Sequence, residues 1–329
     1  MEAGLVNRNG IAFRAIPAAG IHGVGLRALP RNLWQLGRGL SASRRILDEF
    51  KPDGLFFTGG YVAVPMALAG RKVPSLLYVP DIEPGLALKT LARFADKIAI
   101  TNEASAAYFN HPERLSVTGY PTRAELNKWG RDEARQILHL TGEAPVLLVF
   151  GGSKGARSIN NALWENLPAL LEKAQVIHLT GELDWPAVEE RTQGLARDRA
   201  GRYHAFPYLH EEMGAALAAA DLVVSRAGAS TLGEYPLFGL PAILVPYPYA
   251  WRYQKVNAGY LEEHGAAVMV EDGQLHDQLL PIVNDLFEHT QKLAAMKKAM
   301  QHLSQPQAAA DIGRELLALS RRGDAPWSA

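Results

Sequence analysis

Short apolar runs alternate with stretches of helical periodicity along almost the whole chain, the pattern of buried parallel strands joined by crossover helices. In the first half, 55–58 and 75–79 read as strands, with weaker ones at 97–101 and 115–118. Gly59-Gly60 punctuates the first of these, and Gly119-Tyr120-Pro121 follows the last. A polar, helix-prone stretch at 123–140 then runs into a Gly-Glu-Ala-Pro turn at 142–145, where a domain junction fits. The pattern restarts with a strong strand at 146–150 that leads straight into Gly151-Gly152-Ser153-Lys154-Gly155 and a helix over 158–172. Further strands are expected at 176–180, 203–206, 222–225 and 242–246, with helices from about Ser230 and over 253–264, and a helical last fifty residues. The expected architecture is α/β throughout, in two domains at 1–140 and 141–304, with a C-terminal helix at 305–320 able to pack back on the first.

Before 55 the pattern is different. Leu29, Leu33, Leu36, Leu40 and Leu47 recur at helical spacing after Pro30, with Trp34 among them. No acidic residue lies between Glu2 and Asp48, whereas Arg8, Arg14, Arg27, Arg31, Arg38, Arg44 and Arg45 all do. This is a basic amphipathic helix, and it has two readings. One is a helix that covers the fold and solvates its polar face. The other is a contact with anionic lipid head groups, where each arginine adds about 1 kcal/mol. Over the whole chain Lys plus Arg equals Asp plus Glu at 34 each, so bulk charge makes no case for nucleic acid. The absence of cysteine removes thiol catalysis and cysteine metal sites, and fits a reducing cytoplasm. No apolar run approaches the roughly 18 residues that would cross a bilayer.

Three features carry candidate chemistry. The glycine-rich bend after Phe150 aims backbone N–H groups and a helix start at one point, a natural place for a diphosphate, with Ser153 adding a hydroxyl and Gly152 and Gly155 allowing close approach. The same glycines would also serve simply to bend the chain, and their spacing fits neither the P-loop nor the dinucleotide fingerprint. The second feature is Ser225-Arg226-Ala227-Gly228-Ala229-Ser230-Thr231-Leu232-Gly233-Glu234, a strand-end turn of small residues that ends in a carboxylate. Glu234 can accept both hydroxyls of a ribose, or simply favour a helix start. Third, Gln254 and Asn257 lie three apart near a helix start after Val245-Pro246 and suit sugar hydroxyls, unless they are solvated surface amides. Together the three features put polar groups at the carboxyl ends of strands in one domain, where open α/β sheets bind ligands.

In order along the chain, Gly59-Gly60-Tyr61-Val62, Pro84-Gly85-Leu86, Thr118-Gly119-Tyr120-Pro121-Thr122-Arg123, the 151–157 glycine turn, the 220–229 strand and turn, Gly239-Leu240-Pro241-Ala242 and Gln254 with Asn257-Ala258 resemble the MurG family, within glycosyltransferase family 28. The resemblance runs over nearly the whole chain. It implies a GT-B fold, two Rossmann-like domains facing a cleft. It also implies an inverting transfer of N-acetylglucosamine from UDP to the 4-hydroxyl of a lipid-linked muramoyl-peptide in peptidoglycan synthesis. By the same resemblance 1–140 is the acceptor and membrane-side domain and 141–304 the donor domain. The donor set is then Arg123, Gly152, Ser153, Leu209, His210, Gly228, Ala229, Ser230, Thr231, Leu232, Gly233, Glu234, Gln254 and Asn257. Leu209 and His210 fall where the family holds uracil, and Gln254 on the donor sugar. Gly59, Gly60, Tyr61 and Asp81 fall on the acceptor side. The partners implied are UDP-N-acetylglucosamine, a lipid-linked acceptor and an anionic membrane surface on the inner face of the cell membrane, with no nucleic acid. No metal motif and no cofactor are expected, and the sequence leaves Mg²⁺ open.

The departures from the family also set expectations. Its opening strand and Gly-Gly-Thr-Gly-Gly-His loop would precede Met1. The histidine usually assigned to acceptor chemistry would precede Met1 with them, so the catalytic residue is unknown. The gene is therefore expected to begin upstream of Met1, and the chain as written to bind UDP-sugar while turning over poorly. Tyr78-Val79-Pro80-Asp81 stands where the family reads His-Glu-Gln-Asn, which puts a carboxylate where an amide would contact a hydroxyl. Alternatives are a transferase with a different acceptor, a non-catalytic UDP-sugar-binding protein, and an epimerase on the same fold.

Overall fold

The computed structural model describes residues 6–7, 10–18, 29–152, 155–195, 201–249 and 252–322. Ser153, and Arg8 and Arg27 of the basic stretch, lie outside the described residues. The chain divides into two compact units. Unit 1 is Met1–Val79, Pro84–Val117 and Ala310–Ala329, and unit 2 is Pro80–Glu83 and Thr118–Ala309.

Among the described residues, unit 1 has a four-stranded parallel sheet, β1 (Leu55–Phe57), β2 (Ser75–Val79), β3 (Lys97–Ile100) and β4 (Leu115–Val117), in spatial order β1-β2-β3-β4. Leu55 stands opposite Ser75, Leu76 opposite Lys97, and Ile98 opposite Leu115. β2 is buried at all five positions because both faces of the sheet are covered, which is why its sequence is a continuous apolar run. Leu77, Val79, Ile98 and Ile100 pack with helices α2 (Ala63–Ala69) and α3 (Leu86–Leu91). Alternate residues Leu76, Tyr78 and Ala99 pack against Ile312 and Leu319 of the last helix, α12 (Ala308–Arg322). Glu315 of α12 accepts hydrogen bonds from the Ser116 hydroxyl, at 2.6 Å, and from the Lys97 ammonium, which ties the helix to β3 and β4.

The basic amphipathic stretch is α1 (Leu29–Phe50). It packs on α2, where Gly39 approaches Pro65, and its Ser43 is buried. A Cβ at Gly39 would stand 2.3 Å from the Pro17 carbonyl and 3.2 Å from the Pro65 ring, so only glycine permits this approach. Arg31, Trp34, Arg38 and Arg45, spaced to share one face, are exposed.

Unit 2 holds β5 (Val146–Phe150), β6 (Gln175–Leu179), β7 (Tyr203–Phe206), β8 (Leu222–Ser225), β9 (Ala242–Leu244) and β10 (Ala267–Met269), all parallel, in the order β10-β9-β8-β5-β6-β7. The chain builds outward from β5 to β7, crosses back, and builds the other way from β8. The strand order therefore reverses between β5 and β8, the position at which open α/β sheets leave a crevice at the carboxyl ends. Around the sheet lie α4 (Arg131–Ile137), α5 (Arg157–Lys173), α6 (Trp185–Thr192), α7 (Met213–Ala219), α8 (Glu234–Phe238), α9 (Tyr253–Glu263), α10 (Leu275–Glu288) and α11 (Thr290–His302). The core is the inner faces of β5, β6, β8 and β9 with Ile159, Leu163, Leu167 and Leu170 of α5 and Leu279, Val283 and Leu286 of α10.

Three differences from the sequence reading have physical causes. The units part between Val117 and Thr118, not at 140, and 118–140 goes with unit 2. Leu126, Ala134 and Leu138 of that stretch are buried, and Leu126 crowds Gly214 at the start of α7. Arg131 clamps Asp221 with two hydrogen bonds of 2.7 and 2.9 Å. The stretch reads as polar because only its outer face is solvated. The helix expected from Ser230 is a 3₁₀ turn at Ala229–Leu232 followed by the short α8, since Gly233 interrupts it. β10 was not anticipated. Its apolar run at 266–270 follows Gly265, but three residues are too few to show a period.

Candidate functional site

The turn after β5 and the turn after β8 flank the crevice in unit 2. In the first, Gly152 has φ +95° and, among the described residues, nothing within 4 Å of where a Cβ would be, so its backbone faces open space. Gly155 has φ +75°, and a Cβ there would stand 2.4 Å from the Thr180 carbonyl. The two glycines thus differ in role. Gly155 lets β6 close on the turn, while Gly152 leaves the backbone accessible ahead of α5.

The second turn is held from beneath. Arg226 donates to the Val245 carbonyl at 3.1 Å, to the Ser158 hydroxyl at 2.8 Å and to the Asp272 carboxylate, and stacks 5.3 Å from the Tyr247 ring centre. One guanidinium therefore locks the ends of β8 and β9 to the start of α5. Above it Gly228 faces open space, and the Thr231 hydroxyl donates to the Gly228 carbonyl at 2.8 Å, which shapes the 3₁₀ turn. Ala229 and Ser230 are half-buried, and Thr231 and Leu232 are buried. At Gly233 a Cβ would meet the Tyr120 side chain at 2.7 Å, so this glycine seats that ring.

Glu234 opens α8 with its side chain only 15% exposed, and its nearest ion partner is Arg123 at 4.0 Å. Burial raises the Glu234 carboxyl above its usual range, and Arg123 only partly opposes this. Burial and the nearby Glu234 and Asp81 carboxylates push the Tyr120 phenol up as well. Arg123, Gly152, Leu209 and Glu234, four of the residues expected from sequence, line one cavity of about 130 Å³ with Phe150, Leu179, Pro207, Tyr208 and Met213. His210 is outside it, its ring edge-on to Tyr208 at 4.7 Å. Sequence reasoning missed Tyr208 and the apolar lining residues Phe150, Leu179, Pro207 and Met213. The available signal was a Pro-Tyr pair immediately after a strand end.

The two amides do not act as a pair. Asn257 is fully buried. Its Oδ1 accepts from the Ile82 N–H at 3.1 Å, and its Nδ2 donates to Asp81 at 2.8 Å and to the Ala227 carbonyl at 3.2 Å. It is a bracket within unit 2 with no group left for a sugar, which corrects the expectation that it recognises hydroxyls. Asp81 is correspondingly engaged with Asn257, and burial raises its carboxyl. Glu83 of the same segment is buried and ion-paired with Arg252 at 2.5 Å. Gln254 is half-buried, and its Oε1 accepts from the Tyr247 N–H at 2.8 Å, so its Nε2 is the end available to a ligand. Gly59 (φ +111°), Gly60 (φ +80°) and the exposed Tyr61 form a tight turn at the carboxyl end of β1 in unit 1, whereas Asp81 belongs to unit 2. Among the described residues no three His, Asp or Glu side chains are arranged to hold a metal ion.

The model of the glycosyltransferase family 28 N-terminal domain matches residues 1–100, and that of its C-terminal domain matches residues 146–312. A UDP-N-acetylglucosamine--N-acetylmuramyl-(pentapeptide) pyrophosphoryl-undecaprenol N-acetylglucosamine transferase of Roseiflexus is 40% identical over 94% of this chain and 79% of that protein. The protein of the same description from Desulforamulus reducens is 38% identical over 95% of this chain and 86% of its own length. Among solved structures, Acinetobacter baumannii MurG superposes with a TM-score of 0.73 at 25% identity, over 97% of this chain and 88% of that one. The reversal of strand order in unit 2, the two glycine turns that flank it and these matches to both halves agree, and the chain belongs to glycosyltransferase family 28, with the two parallel-sheet α/β domains of the GT-B fold.

Proposed function

We propose that this chain is a UDP-N-acetylglucosamine-dependent glycosyltransferase that transfers N-acetylglucosamine to the 4-hydroxyl of a lipid-linked muramoyl-peptide, inverting the anomeric carbon. The acceptor oxygen bonds to the anomeric carbon as the bond to the diphosphate breaks, UDP leaves, and the acceptor proton passes to a base. Family membership and the names of two relatives that match over nearly all of this chain support the donor and the acceptor. The observation that carries the donor half is the convergence of Arg123, Gly152, Leu209 and Glu234 on one cavity at the strand ends of unit 2.

In this reading Leu209 and His210 flank the uracil, with Tyr208 as a further wall. Glu234 accepts the ribose hydroxyls. The backbone at Gly152 and over 228–233, with the Ser153 hydroxyl, receives the diphosphate at the helix starts. Arg123 offsets charge on the leaving UDP, and Gln254 reaches the sugar through Nε2. Gly59, Gly60 and Tyr61 of unit 1 face the acceptor. The exchange of one C–O bond for another calls for no electron or group carrier, so the substrates alone suffice. The exposed face of α1 supports contact with an anionic membrane surface on the cytoplasmic side, since Trp34 is 61% exposed with Arg38 stacked 4.8 Å from its ring centre and Arg31 and Arg45 alongside. No helix among the described residues is long and apolar enough to cross a membrane.

Calorimetric titration with UDP-N-acetylglucosamine, UDP-glucose and UDP-galactose, each with EDTA present, tests the donor half. Preference for the N-acetylated sugar by about tenfold, or 1.4 kcal/mol, is expected. Equal affinities, absence of binding, or binding only with added Mg²⁺ would overturn it. Transfer of labelled sugar to a lipid-linked muramoyl-pentapeptide, compared with a soluble hexose acceptor, tests the other half.

A further inference from the structure

Unit 1 contains a cavity that none of the residues assigned above lines. It measures about 380 Å³ and is lined by Lys89, Ala92, Arg93, Ile98, Tyr108, Phe109, Asn110, His111 and Arg114. Its walls are the end of α3, the start of β3 and the 108–114 segment that leads into the edge strand β4. Ile98 is the second residue of β3, and Arg114 immediately precedes β4. The cavity therefore lies at the amino ends of these strands, the opposite end of the sheet from the Gly59-Gly60 turn.

The charges around it are unbalanced. Three permanent cations and a histidine line the cavity, and no lining residue is acidic, in a chain whose total charge is zero. Arg114 is half-buried and Arg93 exposed. The Lys89 ammonium lies 5.6 Å from the centre of the Tyr108 ring. Outside the lining, the fully exposed Glu113 carboxylate is hydrogen-bonded to His111 Nδ1 at 3.1 Å. Like charges gathered in a partly enclosed space repel one another, and a multiply charged anion relieves that repulsion. Guanidinium forks match phosphate oxygens in pairs, and Tyr108 and Phe109 supply an apolar wall for an organic group attached to the phosphate.

We propose that this cavity binds a phosphate-bearing anion, held by Arg93 and Arg114. The same chemistry is offered by a soluble phosphate ester and by a phospholipid head group, and two arms separate them. In the first, inorganic pyrophosphate is titrated into the full chain already saturated with UDP, so that the turns of unit 2 are filled. In the second, the chain is co-sedimented with vesicles of phosphatidylglycerol and phosphatidylcholine, against phosphatidylcholine alone. Both arms compare the parent with Arg93→Glu/Arg114→Glu and with the milder Arg93→Gln/Arg114→Gln. Unchanged UDP affinity and melting temperature establish that each variant is folded. For a soluble ligand, pyrophosphate affinity falls about tenfold or more in the Glu variant and by less in the Gln variant, since charge is reversed in one and only removed in the other. For a head group, pyrophosphate binding is weak throughout and recovery with phosphatidylglycerol vesicles falls several-fold, beyond whatever α1 sustains in all three proteins. Equal pyrophosphate affinity together with equal vesicle recovery in parent and variants would overturn the proposal.

Discussion

Glu234 and Asn257 are both polar residues near helix starts in unit 2, and their surroundings are opposite in kind. Asn257 has no exposure, and its donors and its acceptor are all engaged by Ile82, Asp81 and Ala227. Glu234 borders a cavity with, among the described residues, a single ion partner 4.0 Å away that is itself more than half exposed. A buried polar group that is satisfied by the protein is part of the scaffold. One that stays under-satisfied beside a cavity has capacity for a ligand. Sequence spacing presents the two residues as equivalent donor contacts, and only their partners separate them.

The largest effect that can break this contrast comes from Asn257→Ala. The Ile82 N–H and the Ala227 carbonyl both lose their partner, and each buried group left unpaired costs about 1–3 kcal/mol. Urea unfolding should therefore show a loss of several kcal/mol with an unchanged slope, while any UDP that the folded fraction binds is held with near-parent affinity. A loss below about 1 kcal/mol, or a selective fall in UDP affinity, would make Asn257 a ligand contact and erase the distinction.

His178 sharpens the same contrast at intermediate size. It is fully buried in β6, its Nδ1 meets the Tyr203 hydroxyl at 2.8 Å and its Nε2 meets Asn160 Oδ1 at 3.0 Å. Burial pushes its pKa down to about 3, with Asp184 only partly opposing. The unfolded chain takes up a proton near pH 6.5, and the folded chain refuses it until about pH 3. Its contribution is thus complete above pH 6.5 and declines as pH falls through that window, by about 1.4 kcal/mol per unit. Urea midpoints measured from pH 7.5 to 5 should fall in the parent and flatten in His178→Gln. An acid limb of equal steepness in both would show that His178 is not held neutral.

Much of the architecture was legible because parallel strands covered on both faces are written as uninterrupted apolar runs. β2 and β5 are the clearest examples, each stopped by the turn or proline that follows. The candidate site was legible for the same reason, since its turns follow strands whose ends are easily seen. What was not legible depends on partners distant in sequence. Nothing around Asn257 announces that Asp81 and Ile82 will meet it, nor around 118–140 that Leu126 will pack beside Gly214. Gly152 and Gly155 look alike as letters, yet one faces space and the other the Thr180 carbonyl. Arg226, which ties three chain segments together, reads in sequence only as a basic residue inside a small-residue turn.

The smallest effect on folding, and the one that tests the ligand side of the contrast, belongs to Glu234→Gln. Burial raises the Glu234 carboxyl, so the folded chain holds its proton to higher pH than the unfolded chain does. Whatever this group contributes to stability is therefore present below the ordinary carboxyl range and is lost as pH rises through the raised value. Above that raised value the carboxylate is charged at a desolvated position, and Gln removes that cost. Arg123 loses only a screened partner at 4.0 Å in exchange. The melting temperature should stay level or rise slightly. UDP affinity should fall about tenfold, because a carboxylate can accept from two ribose hydroxyls at once while an amide offers a single acceptor oxygen. In the parent, affinity should also weaken as pH drops below the raised Glu234 value, and in the variant that dependence should vanish. Stability lost without any change in affinity would invert the assignment, making Glu234 the scaffold and leaving the cavity beside it without its acceptor.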